Sequence, residues 1–157
     1  MKILVVDDEA CVRDAYRHAL DNGGEGRSSA AMKSLAGELF GSDATTEQDI
    51  DLTPSYDIDF ADQGRVGVEM VHQALLMGAP YRIVFLDVRM PPGIDGKETA
   101  RRIREIDKDV FIVIVTAYSD HAISDIATTA GPADKILFLK KPFVVEEIRQ
   151  MTVSLLG

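Results

Sequence analysis

The chain predicts an α/β fold, a doubly wound parallel sheet of five strands, and three observations carry that prediction. Four short runs are apolar throughout, helical stripes fill the intervals between them, and acids, a threonine and lysines stand at the carboxyl ends of the runs. At 157 residues, 46% hydrophobic and 27% charged, the composition is that of one globular domain with one sizeable core.

Residues 3–6, ILVV, form the first strand, short and apolar on both faces. Val12, Ala15, Tyr16, Ala19 and Leu20 then follow the i, i+3, i+4, i+7, i+8 spacing of a first helix. Residues 56–61, YDIDFA, alternate apolar and acidic, which suits an edge strand with one wet face. A stripe of Val68, Val71 and Leu75 gives the next helix, stopped at Gly78. Residues 83–86, IVFL, form a strand buried on both faces, followed by a helix at 97–106 around Ala100 and Ile103, with Asp95-Gly96 as its start. Strand 110–115 leads to a helix carrying Ile123, Ile126, Ala127 and Ala130, closed by Gly131-Pro132. Strand 136–139 precedes a last helix with Val144, Ile148, Met151, Leu155 and Leu156 on one stripe. Strand–helix alternation repeated in this way implies right-handed crossovers.

Residues 22–55 interrupt the alternation, where a handful of connecting residues would be usual. The reading is a single domain, 1–157, with an insertion between the first helix and the second strand. Ala31, Met32, Leu35, Leu39 and Phe40 could make one short amphipathic helix there, and the acidic stretch 43–51 reads as a solvated loop. GGEG lacks the ending of a phosphate-cradling loop and follows no strand.

Composition excludes several classes. Seventeen basic and 26 acidic residues, a net charge of −9, argue against contact with a nucleic-acid backbone. A single cysteine, Cys11, allows no intrachain disulfide, and it reads as an ordinary packed thiol. No apolar run reaches the ~20 residues of a membrane span, and the start MKILVVDDE is no signal peptide, so a soluble cytoplasmic protein is expected.

The strand ends carry the chemistry. The first ends in Asp7-Asp8-Glu9, the third in Asp87, the fourth in Thr116 and the fifth in Lys140-Lys141-Pro142. Ligands of open α/β sheets bind beyond these ends. Clustered carboxylates need a cation to share a site, and an oxygen-only set suits a hard ion such as Mg²⁺. A lysine offsets remaining charge, a hydroxyl can donate to a phosphoryl oxygen, and an aspartate can be the nucleophile that accepts a phosphoryl group. Asp87 is therefore expected to be that acceptor, on the floor of a metal site.

In these segments (ILVVDDE, FLDVRMPPGIDG, IVIVTAY and FLKKPF) the chain resembles the response-regulator receiver domain of two-component phosphorelays, over nearly everything except 22–55. The resemblance implies a flavodoxin-like sheet of order 2-1-3-4-5 with five helices. It implies Asp8 and Asp87 as direct Mg²⁺ ligands, Asp7 acting largely through water, and the backbone carbonyl of Arg89 as a further ligand. Asp87 resembles the phosphorylated aspartate, Thr116 the hydroxyl that moves onto the phosphoryl group, and Lys141 the family's lysine, its bond to Pro142 cis. Lys140 should point the opposite way, into solvent. Phe138 resembles the aromatic switch that turns inward when the threonine moves. The loop MPPGIDG is one residue longer than the commonest form and, with TAYSDH, looks like receivers of hybrid histidine kinases and multidomain signalling proteins. Arg89 and Tyr118 resemble positions flanking the path of the hydrolytic water, so they are expected to tune dephosphorylation.

The implied partners are a histidine kinase or histidine phosphotransfer protein and a downstream protein or fused output domain; a homodimer is possible in the family. The output would be a changed protein-binding face and no turnover of a metabolite. An aspartate-nucleophile phosphatase is the enzyme alternative, disfavoured because Asp87-Val88-Arg89 lacks that class's second aspartate. A phosphorylation-independent interaction domain is disfavoured by the intact Asp8, Asp87, Thr116 and Lys141. His18, His72 and His121 share no motif and read as structural, and Met90 and Pro91 read as turn residues.

Overall fold

A computed structural model of the chain describes residues 1–21, 55–117 and 123–157, the side chain of Ile123 excepted. The chain divides into two units, Met1–Leu20 with Tyr56–Gly157, and Asp21–Ser55. Of the second unit only the end residues are described, so the amphipathic stretch 31–40 and the acidic stretch 43–51 lie outside the described residues, as do Tyr118 and His121.

The first unit runs β1 (Lys2–Val6), α1 (Ala10–Leu20), β2 (Asp57–Ala61), α2 (Gly64–Leu76), β3 (Tyr81–Asp87), α3 (Gly96–Ile106), β4 (Phe111–Thr116), α4 (Ile123–Ala130), a 3₁₀ turn (Ala133–Lys135), β5 (Ile136–Lys140) and α5 (Val145–Leu156). All strand pairs are parallel and the order is β2-β1-β3-β4-β5, as expected. YDIDFA does supply the edge strand. The order reverses between β1 and β3, so the crevice for a ligand opens at their carboxyl ends.

Period-two alternation divides the core between the two faces of the sheet. Leu4, Val6, Val84, Leu86, Ile112 and Ile114 face a layer holding Ile103 of α3 and Ile126 of α4. Ile3, Val5, Ile83, Phe85, Val113 and Val115 face the other, with Tyr16 of α1 and Ile148 of α5. Continuous apolar strands are needed because both faces are covered.

Several expectations need correction. The buried face of α2 is Gly64, Gly67, Val71 and Ala74, whereas Leu75 is 39% exposed. The reason is close approach: a Cβ at Gly67 would stand 2.8 Å from the Val6 side chain, so the helix seats closely on Gly64 and Gly67, with Val71 buried beside them and Leu75 left at the rim. Gly78 does stop that helix, at φ +69°, where a residue without Cβ costs least. Val144 is the exposed N-cap of α5, outside the stripe that buries Ile148 and Thr152. Cys11 is exposed on α1 instead of packed, and Met90 belongs to the core. Asp95 starts α3 as expected, its carboxylate accepting from the Glu98 N–H at 2.9 Å.

Arg104 of α3 is a buried charge. Its Nε donates to the Ala130 carbonyl at 3.0 Å, Nη1 to those of Asp107, Lys108 and Val110, and Nη2 to that of Lys135. One guanidinium thus joins the ends of α3 and α4 to the entries of β4 and β5.

Candidate functional site

Each site residue is placed by the end of a strand. Asp87 is the last residue of β3, level with Val115 of β4, and only 7% exposed. Asp7 follows β1, is 2% exposed, and continues the ladder by donating its N–H to the Ala61 carbonyl at 3.0 Å. Asp8 is more open to solvent. The three carboxylates each bring an oxygen within 4.8 Å of the others.

Lys141, immediately after β5, lies among them. Its Nζ stands 3.2 Å from Asp7 Oδ2, 3.4 Å from Asp87 Oδ1 and 3.7 Å from Glu9 Oε1. Its own N–H donates to the Thr116 carbonyl at 2.8 Å, which fixes the β4 and β5 ends to each other. The Lys141–Pro142 bond is cis, as the resemblance implied. Lys140, one residue earlier on the strand, is exposed.

Electrostatics follow from this crowding. Burial is the largest influence on Asp87 and raises its carboxyl; Lys141 lowers it, Asp7 raises it again, and the balance stays above the ordinary aspartate value. For Lys141 burial works against the charge, but Asp87 and Asp7 outweigh it and hold the ammonium above its usual range. Two buried acids and one shared ammonium leave unneutralised negative charge, which a cation would offset. The donors are all oxygens, and one carboxylate is open to water. That set fits Mg²⁺, an ion that binds through one or two carboxylates and keeps several waters.

Thr116 ends β4, buried, its Oγ1 donating to the Ala117 carbonyl at 3.0 Å. Phe138 is half-buried on β5 against the core of the α3 face. The Arg89 side chain is exposed, while its backbone N–H donates to the Asp87 carboxylate. Asp7, Asp8, Asp87 and Lys141 are therefore brought together, Thr116 and Phe138 stand on the two adjoining strands, and Tyr118 lies outside the described residues.

Two neighbours were missed from sequence. Arg13 Nη1 donates to the Asp7 carbonyl at 2.6 Å, holding the loop that carries the acids against α1. Its place one turn after Glu9 was the available signal. Gly96 lies under the acceptor: a Cβ there would stand 2.6 Å from both the Asp87 carbonyl oxygen and Val88 Cα.

A five-stranded sheet of this order, with acids and a lysine gathered at its switch point, defines a phosphoacceptor class of signalling module. Residues 44–153 match the family described as response regulator receiver domain, and the chain belongs to that family. The match leaves out β1 and α1, yet the fold sets Asp7 and Asp8 beside Asp87.

Among curated proteins it is 28% identical over 99% of its length to the cyclic di-GMP phosphodiesterase response regulator RpfG of Xanthomonas campestris, covering 32% of that protein. It is 37% identical over 58% of its length to a two-component response regulator of Oryza sativa, covering 66% of it, and 28% identical over 94% to the response regulator MprA of Mycobacterium leprae, covering 47%. The chain thus spans less than two thirds of each of these relatives. Among solved structures, a CheY-like receiver domain protein of Methanospirillum hungatei aligns with TM-score 0.65 at 15% identity, covering 98% of this chain and 92% of that one. A receiver protein of Sinorhizobium medicae aligns with TM-score 0.62 at 24% identity, covering 99% and 94%. These likenesses support the fold. The chain is a receiver domain of two-component signalling, and no finding favours the phosphatase or the phosphorylation-independent reading. Among the described residues no helix is long and apolar enough to cross a membrane.

Proposed function

We propose that Asp87 accepts a phosphoryl group from a histidine kinase or histidine phosphotransfer protein. The observation that supports this best is the gathering of three carboxylates within 4.8 Å of one another, with the Lys141 ammonium shared by the two buried ones. An Asp87 oxygen attacks the phosphorus in line. The new P–O bond forms as the donor's P–N bond breaks, and the imidazole nitrogen leaves with the electron pair. Asp7, Asp8, Asp87 and the Arg89 carbonyl would hold Mg²⁺, which when bound neutralises charge on the transferring oxygens. Lys141 turns from the acids to a phosphoryl oxygen, Thr116 donates its hydroxyl to another, and Phe138 turns inward into the space the threonine leaves. Arg89 and Tyr118 flank the approach of hydrolytic water and lengthen the life of the acyl phosphate.

On this reading the domain is 1–157 with 22–55 as an insertion, it turns over no metabolite, and it works in the cytoplasm. Its output is a changed face offered to a downstream protein or a fused output domain. The test is labelling with acetyl phosphate in Mg²⁺: wild type takes up one hydroxylamine-labile phosphoryl group, and Asp87→Ala or excess chelator abolishes it. Full labelling of Asp87→Ala would refute the assignment.

A further inference from the structure

Tyr16 is an uncommon thing to bury under a charged site. It is 1% exposed in the α1-side core, and its hydroxyl has no hydrogen-bond partner among the described residues. Phenylalanine would fill the same volume without that cost, since a buried hydroxyl is normally satisfied.

Its surroundings place its ring in the core beneath the strand ends that carry the acids. The ring lies 5.0 Å from Phe85 and 5.3 Å from Phe143, centroid to centroid. Phe85 is two residues before Asp87 on β3, so both side chains stand on the same face of the sheet. Val5, in the same core, has the same relation to Asp7, and Phe143 follows Lys141 by two residues. In a helix, side chains lean toward the amino-terminal end. For α1, which leaves the carboxyl edge of the sheet, that end is at the site. Burial first, then the charges of Asp7 and Asp87, push the phenol well above its usual value, so it remains a neutral donor.

The acids above are supplied mainly by one movable group. Asp7 Oδ1 accepts from the Glu9 N–H at 2.9 Å, while Oδ2 is left to Lys141 at 3.2 Å. If Lys141 leaves for the phosphoryl group, Oδ2 of this 2% exposed carboxylate loses its protein donor. We propose that Tyr16 is a positioning residue whose hydroxyl, unpartnered beneath the acids, donates to Asp7 when Lys141 engages the phosphoryl group. It thereby frees the lysine to move. This rests on Asp87 being the acceptor and adds a donor from the core side that the strand ends do not supply.

Tyr16→Phe removes the hydroxyl alone and keeps the ring contacts. Phosphorylation by acetyl phosphate in Mg²⁺ is followed in wild type, Tyr16→Phe and Asp87→Asn, with thermal melts of each. Carbon-13 spectra of proteins labelled at tyrosine Cζ are also taken; with four tyrosines, the resonance missing in Tyr16→Phe assigns Tyr16. The expected result is a Tyr16→Phe protein at least as heat-stable as wild type whose phosphorylation slows on the order of tenfold, the loss of one hydrogen bond to a charged group. The Tyr16 resonance should also shift on phosphorylation. A stable Tyr16→Phe protein with unchanged phosphorylation, or a Tyr16 resonance that does not shift, overturns the proposal and leaves the Asp87 reading standing. Undiminished labelling of Asp87→Asn overturns the Asp87 reading, and the Tyr16 proposal with it.

Discussion

Asp87 is held where its charge is costly, and two consequences can be measured. Its carboxyl is raised by burial, so between the ordinary aspartate value of 3.8 and the raised folded value the folded chain binds more protons than the unfolded one. Stability in that window therefore falls as pH rises, and above it the full penalty is present. Asp87→Asn should raise the melting temperature at neutral pH in chelator, with the gain disappearing below the ordinary aspartate range. Melts of both proteins across pH check this; an equal gain at every pH would contradict it. Gly96 gives the second consequence. Adding a methyl 2.6 Å from the Asp87 carbonyl oxygen must displace the acceptor backbone or the start of α3. Gly96→Ala should slow phosphorylation by at least about tenfold, because in-line attack tolerates little misplacement. Single-turnover labelling of the folded variant is the measurement.

The elements differ in how far their sequences reveal them. β1, β3, β4 and β5 were legible because strands covered on both faces must be apolar throughout, and their chemistry was legible because the acids and lysines begin where burial ends. α2 was legible as a helix and in the inward facing of Val68 and Val71, but not at Leu75. Hydrophobicity points to Leu75, whereas the closeness of Val6 selects Gly67, a steric fact carried by two elements together. Arg104 was illegible for the same reason. Nothing in ARRIREI tells the guanidinium that bonds five carbonyls from the two half-buried arginines, Arg101 and Arg102, that pair with Glu98. Arg104→Met should cost roughly 3 kcal/mol, as several buried carbonyls lose a charged donor. Arg101→Met should cost far less, because ion pairs at the surface contribute little. Urea unfolding of the two variants tests the contrast.

For the whole molecule, the strand that follows residues 22–55 is entered at the edge of the sheet opposite the chemistry. β2 starts at the amino edge of the sheet, where the Asp57 N–H donates to the Met1 carbonyl at 2.8 Å, and the acids lie at the opposite edge. Replacing 24–53 with a short turn should leave the phosphorylation rate close to that of the full chain; a large loss in a well-folded deletion would show that the segment serves the site. Asp7 and Asp8 from the first strand end, Asp87 from the third and Lys141 from the fifth meet only because the sheet order folds them onto one edge. That convergence was legible from the strand ends alone. The hydroxyl of Tyr16 was not, since a tyrosine on an apolar helix stripe reads as ordinary core. The central claim is that this edge delivers a phosphoryl group to Asp87. Its most direct test is borohydride reduction of the protein phosphorylated by acetyl phosphate in Mg²⁺, followed by peptide sequencing. Reduction of an aspartyl phosphate leaves homoserine. Homoserine at position 87 alone is the predicted result, and homoserine at any other aspartate, or none despite a stable phosphoryl label, would contradict it.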